Sequence, residues 1–141
     1  FRNSMIILAL DIGDVWTGSA ISDALGITAN PYQTVKTTEL IEFLEKTIPQ
    51  KKIQCMVVGY PKTFKGTESD QTKKIVAKKE LLEKKFPQLP WILWDERRTS
   101  QQAAQLQKTK TKEDKIKLHS KAAAFILMGY LDHLQFKKDT L

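Results

Sequence analysis

The chain has 141 residues, of which 41% are hydrophobic and 28% charged, and its formal net charge is +7. This size leaves room for one domain that buries roughly 68–70% of its unfolded surface, which excludes folds built from two large domains. A single cysteine, Cys55, excludes disulfide stapling and favours a reducing compartment, while the excess of Lys and Arg favours a polyanionic partner such as nucleic acid.

Residues 1–4, FRNS, are expected to be an expression remnant or disordered, with the domain running from 5 to 138. The run MIILAL is too short for a membrane span, and Asp11 follows it directly, so neither a span nor a signal peptide is expected. MIILALDIG reads as a strand covered on both faces, because it is nearly continuous in apolar residues. WTGSAIS follows a tight turn and pairs with it as a hairpin, and YQTVK is a weaker third strand. Thr37 or Thr38 is expected to cap a helix, TELIEFLEKTI, whose Leu40, Ile41, Leu44 and Ile48 form one stripe.

IQCMVVGY is the next buried strand. The loop PKTFKGTES leads from it to a helix over about residues 70–86, with Ile75, Val76, Leu82 and Phe86 inward and Pro87 and Pro90 beyond its end. WILWDE is the last strand. TSQQAAQLQ begins a helix, KTKTKEDKIK is a polar break with five lysines, and SKAAAFILMGYLDHL is a closing apolar helix. Three strands followed by alternating helices and strands predict an α/β fold. Its five-stranded mixed sheet is antiparallel over the first three strands, parallel behind them, and flanked by helices.

Ligands in such sheets gather at the carboxyl ends of parallel strands. Three buried strands end there in DIG, GYP and DER, so Asp11, Gly59 and Asp95–Glu96 share one edge. Carboxylates converging in a basic protein raise one another's pKa unless a cation intervenes, and hard oxygen donors favour Mg²⁺ or Mn²⁺. Such ions activate water and stabilise a leaving oxygen in phosphodiester cleavage. On position alone two other readings stay open: Asp11 makes only a turn, and Glu96 only pairs with Arg97 or Arg98.

The segments LALDIGDVWTGSAISD, VVGYPKTFKGTESDQT, WDERRTSQQA and HSKAAAFILMGYLD, in that order along nearly the whole chain, resemble the YqgF family, also called RuvX. These are Holliday-junction-resolvase-like proteins assigned as pre-16S rRNA nucleases. The resemblance implies a ribonuclease H-like fold, divalent-metal chemistry with Mg²⁺ or Mn²⁺, a cytoplasmic location and maturation of the 5′ end of 16S rRNA. It implies that Asp11 and Glu96 are catalytic metal acids, with Asp95 an alternative ligand and Arg97 a phosphate contact. Gly13, Gly59, Pro61 and Gly66 fall in loops beside the active edge. Thr99 and Ser100 match the start of the following helix, where helix capping is the favoured role.

The sequence departs from the family pattern in three places. The usual third acid before the closing helix is replaced by His119, which suits Mn²⁺ or Zn²⁺ better than Mg²⁺ and can also serve as a base. Asp114 and Asp132 are poorly placed to replace that acid. Arg near Trp16 and Asn near Thr63, which the family favours, are also absent.

Lys108, Lys110 and Lys112 in the polar break form either an arm along a phosphate backbone or a solvated loop. Trp16 is the aromatic residue placed to stack on a base, whereas Trp91 and Trp94 read as packing residues. The expected partner is nucleic acid, as pre-16S rRNA, a ribosomal precursor particle or branched DNA, with no membrane. The competing reading is a non-catalytic nucleic-acid-binding protein on the same fold, working in ribosome assembly. A sugar-kinase-like or actin-like phosphate module is set aside, because the chain is too short and WDER has no place in that pattern.

Overall fold

The computed structural model describes residues 5–61, 70–96 and 111–140. Its elements are β1 (Ile7–Ile12), β2 (Trp16–Ser22), β3 (Ala29–Lys36), a 3-10 turn (Thr37–Glu39), α1 (Leu40–Gln50), β4 (Cys55–Pro61), α2 (Asp70–Lys85), β5 (Trp91–Glu96) and α3 (Lys112–Thr140). The strands form one sheet in the order β3-β2-β1-β4-β5. β1 pairs antiparallel with β2, and β2 with β3, while β1–β4 and β4–β5 are parallel. The mixed sheet expected from the chain order is the one observed.

β1 is apolar on both faces because both faces are covered. Leu8, Leu10 and Ile12 pack with Met56 and Val58 against Leu40, Leu44 and Ile48 of α1 and Ile75 and Leu82 of α2. Ile7 and Ala9 pack with Ala20, Cys55 and Val57 against Ala123, Ile126, Leu127 and Tyr130 of α3. The sheet is therefore sandwiched between α1 and α2 on one side and α3 on the other. Trp91 and Trp94 have the packing roles expected of them. The Trp91 indole donates to the Phe86 carbonyl at 3.0 Å, and Trp94 meets Tyr130 edge-to-face with ring centroids 5.4 Å apart.

Apart from small shifts, such as β3 beginning at Ala29 rather than Tyr32 and β4 running Cys55–Pro61, two boundaries differ from the sequence reading. The closing helix starts at Lys112, not Ser120, so the second half of KTKTKEDKIK is helical. The reason is a cap that the lysines obscure: the Asp114 amide donates to the Thr111 hydroxyl at 3.0 Å, and Glu113 and Asp114 favour the positive end of the helix dipole. At α1, neither Thr37 nor Thr38 caps. The 3-10 turn precedes the helix and no side chain bonds its N-cap, because the Thr37 hydroxyl is engaged elsewhere. The helix expected from TSQQAAQLQ lies outside the described residues. Among those described, no helix is long and apolar enough to cross a membrane.

Two glycines let α3 reach the sheet. A Cβ at Gly18 would collide with the His119 carbonyl and the Ser120 amide, so helix backbone lies directly on strand backbone there. The nearest atoms to a Cβ at Gly59 would all belong to the Ile126 side chain. Gly18→Ala is expected to lower stability in urea unfolding by about 3 kcal/mol, because backbone must move. Gly59→Ala should cost about 1–2 kcal/mol, and trimming Ile126→Val should recover part of that loss but none of the loss at position 18.

Candidate functional site

β1 carries Asp11 to the carboxyl end of the parallel strands, one residue before the sheet's apolar pattern stops. Asp11 is paired with Gly18 across the hairpin, and the close approach of α3 at Gly18 delivers His119 to the same place. Asp11 Oδ2 lies 3.7 Å from His119 Nδ1, with the two side chains 26% and 33% exposed. That separation is too long for a hydrogen bond, and the partial exposure leaves both groups reachable by a ligand.

The turn that follows Asp11 is fastened from three directions. The Gly13 amide donates to the Trp16 carbonyl at 3.0 Å, and the Thr37 amide donates to the Val15 carbonyl at 2.8 Å. The Thr37 hydroxyl donates to the Gly13 carbonyl at 2.7 Å and lies 2.8 Å from the Thr17 hydroxyl. A hydroxyl has one proton, so with that of Thr37 given to Gly13, Thr17 is the donor in the pair. Gly13 itself is needed: a Cβ there would sit 2.6 Å from the Trp16 carbonyl oxygen and 3.7 Å from the His119 ring. Sequence reasoning assigned Thr37 to a helix cap and missed this clamp.

Strand register sorts the remaining acids. Gly59 pairs with Trp94 and Pro61 with Glu96, while Tyr60 pairs with Asp95. Trp94 packs with the α3 cluster, whereas Tyr60 and Leu93 pack with the α1 and α2 cluster. Alternation along β5 therefore gives position 96 to the Asp11 face and position 95 to the opposite face. Position 96 thus shares a face with Asp11, and position 95 does not. Gly59 is buried beneath Ile126 and serves helix packing.

The other expected positions are distributed as follows. Trp16 opens β2, partly buried, opposite Lys36. His119 lies in the third turn of α3, well inside the helix. Lys112 is exposed at the first position of α3. Arg97, Gly66, Lys108, Lys110, Thr99 and Ser100 lie outside the described residues. Cys55 is no candidate: burial pushes its thiol up to about 11, which removes the thiolate needed for nucleophilic or metal chemistry at neutral pH.

The donor set can be tested against a divalent cation. Two ligands 3.7 Å apart both reach one ion through bonds of about 2.0–2.2 Å. One oxygen donor and one imidazole suit Mn²⁺ or Zn²⁺ better than Mg²⁺. Among the described residues no third His, Cys, Asp or Glu completes a cluster with them. Asp11 and His119 are thus a candidate pair of donors, with position 96 on the same face.

Comparison with known proteins follows this geometry. Residues 5–133 match the family model for RuvX, described as Holliday junction resolvase. A Sulfurihydrogenibium protein named "putative pre-16S rRNA nuclease" is 40% identical over 94% of this chain and 94% of its own length. Proteins of the same name from Phocaeicola vulgatus and Clostridium novyi are 35% and 36% identical over 92% of this chain, covering 97% and 100% of their own lengths. Among solved structures, Thermus thermophilus RuvC in complex with a Holliday junction substrate superposes with a TM-score of 0.53. It is 15% identical, covering 93% of this chain and 96% of that one. That likeness shows the fold, which is ribonuclease H-like. On the family match and on identity across nearly its whole length, this chain belongs to the RuvX family of Holliday-junction-resolvase-like proteins.

Proposed function

We propose that this protein hydrolyses phosphodiester bonds in structured RNA with a divalent cation, and that its substrate is the 5′ precursor end of 16S rRNA in the cytoplasm. The observation that carries the reading is the approach of His119 to Asp11 at the carboxyl ends of the parallel strands. Family membership supports the reaction class, and the +7 charge supports a polyanionic substrate. The names of the curated relatives support the RNA.

In this reading Asp11, His119 and Glu96 would hold the ion, which would supply an activated water and charge stabilisation at the scissile phosphate. The residues of the chain provide the placement. The Thr37 clamp fixes the turn that begins just beyond Asp11, and Gly13 keeps its surface low enough for a phosphate to come close. Trp16, beside that turn, stacks on a base. Arg97 is assigned to contact phosphate and Lys108, Lys110 and Lys112 to contact the nucleic-acid backbone, and Pro61 ends β4.

Cleavage of an end-labelled 16S precursor fragment tests this, run beside a four-way DNA junction with Mg²⁺ and with Mn²⁺. The wild type is expected to cut the RNA, faster with Mn²⁺, and to stop when the ion is chelated. Asp11→Asn should lower the rate a hundredfold or more, the equivalent of about 3 kcal/mol. His119→Asp should shift the preference toward Mg²⁺, and Mn²⁺ titration calorimetry should show the matching loss of affinity without reference to activity. A wild type that binds the RNA yet is inert with either ion overturns the nuclease reading in favour of a binding protein. Preferential cutting of the junction would overturn the choice of substrate.

Thr37 acts through the turn rather than on substrate. Thr37→Val keeps shape while leaving the Gly13 carbonyl and Thr17 hydroxyl unsatisfied, at about 1–2 kcal/mol of stability. Cutting should fall several-fold at saturating RNA while RNA affinity is unchanged, and Thr37→Ser should restore it.

A further inference from the structure

A cavity of about 130 Å³ opens on the α2 side of the β1–β2 turn, lined by Gly13, Asp14, Thr37, Gln71, Lys74 and Lys78 among others. It lies across the turn from Asp11, since Ile12, which also lines it, belongs to the face covered by α1 and α2. The volume matches on the order of four water molecules, enough for one phosphate group and residual water. Gln71, Lys74 and Lys78 follow one another at i, i+3 and i+7, which puts them on a single stripe of α2.

The charges here are unequal. Lys74 Nζ lies 3.7 Å from Asp14 Oδ1, with both side chains about two-thirds exposed, so the pair is weak and readily exchanged. Lys78 forms no ion pair among the described residues and is partly buried. Among the described residues that line the recess, one carboxylate therefore faces two ammonium groups, an excess of positive charge beside the Asp11 edge.

We propose that this recess is a subsite for a neighbouring backbone phosphate of the nucleic acid, held by Lys78 and Lys74. The strand crosses the β1–β2 turn with one phosphate on the Asp11 side and another in the recess. The inference rests on the nucleic-acid reading above and extends it, because the recess is separate from the side chains assigned to cleavage. It gives the substrate two holds on opposite sides of one turn, which fixes the strand's direction over the edge.

The test is binding of a fluorescein-labelled 16S precursor RNA by the full chain, followed by anisotropy over a range of salt. Lys74→Gln/Lys78→Gln should weaken binding about tenfold and reduce the slope of log affinity against log salt by about 1. Lys84→Gln/Lys85→Gln removes the same charge from the far end of α2 and should leave the slope unchanged. Asp14→Asn should strengthen binding several-fold, since it removes the carboxylate that competes with the phosphate. Equal losses from both lysine pairs, or no gain from Asp14→Asn, would overturn the subsite and leave a diffuse basic surface. A wild type that binds no RNA would overturn the nucleic-acid reading and the subsite together. Binding that is lost only in the recess variants distinguishes the two.

Discussion

The site depends on the absence of one side chain. At Gly18 the backbone of α3 rests on the backbone of β2, closer than any residue with a Cβ would allow. This approach brings His119 within 3.7 Å of Asp11, because Gly18 is the cross-strand partner of Asp11. A side chain at 18 would lift the helix, and the imidazole and carboxylate would separate before anything else in the fold changed. A glycine inside a strand is otherwise unfavourable for its conformational entropy. Here that cost is offset by burial of the apolar face of α3 against Ile7, Ala9 and Val57.

Strand parity organises the rest. Asp11, Gly18 and Gly59 share the α3 face, and position 96 joins them through its pairing with Pro61. Leu10, Ile12, Val58 and Asp95 fall on the opposite face. A sheet covered on both sides has little freedom to slip, since a shift of one residue would bury the wrong set on each face. The packing that stabilises the domain is thus the same constraint that aligns the acids. Thr37 adds a second, local restraint. By accepting from one hydroxyl and donating to a carbonyl, it ties β3 to the turn beyond Asp11.

Much of this architecture is legible in the sequence because its signals are local. The unbroken apolar run of β1 announced burial on both faces, and the DIG, GYP and DER endings announced a shared edge. What was hidden is tertiary. Thr37 has the residue type and position of a helix cap, and only the folded hairpin offers its hydroxyl a better acceptor. The start of α3 was masked because five lysines outweigh one Thr111 cap in any compositional reading. Which sheet face positions 95 and 96 take follows from register, which adjacent residues in a sequence cannot reveal. Gly18 did carry a signal, as a glycine within a strand pattern marks close backbone approach, but its partner was not identifiable.

His119 then acquires a specific meaning. A residue in the third turn of a 29-residue helix has its backbone held by the packing of the whole helix. Replacing a carboxylate with imidazole removes one negative charge from the edge and leaves a softer ligand. The loss weakens the attraction for a hard cation, yet it also lowers the repulsion felt by an approaching phosphate. A basic protein with Lys74 and Lys78 beside its β1–β2 turn already favours a polyanion. On the proposed reading, the balance between substrate attraction and metal retention would shift toward substrate, and a metal that accepts nitrogen donors would restore the other half.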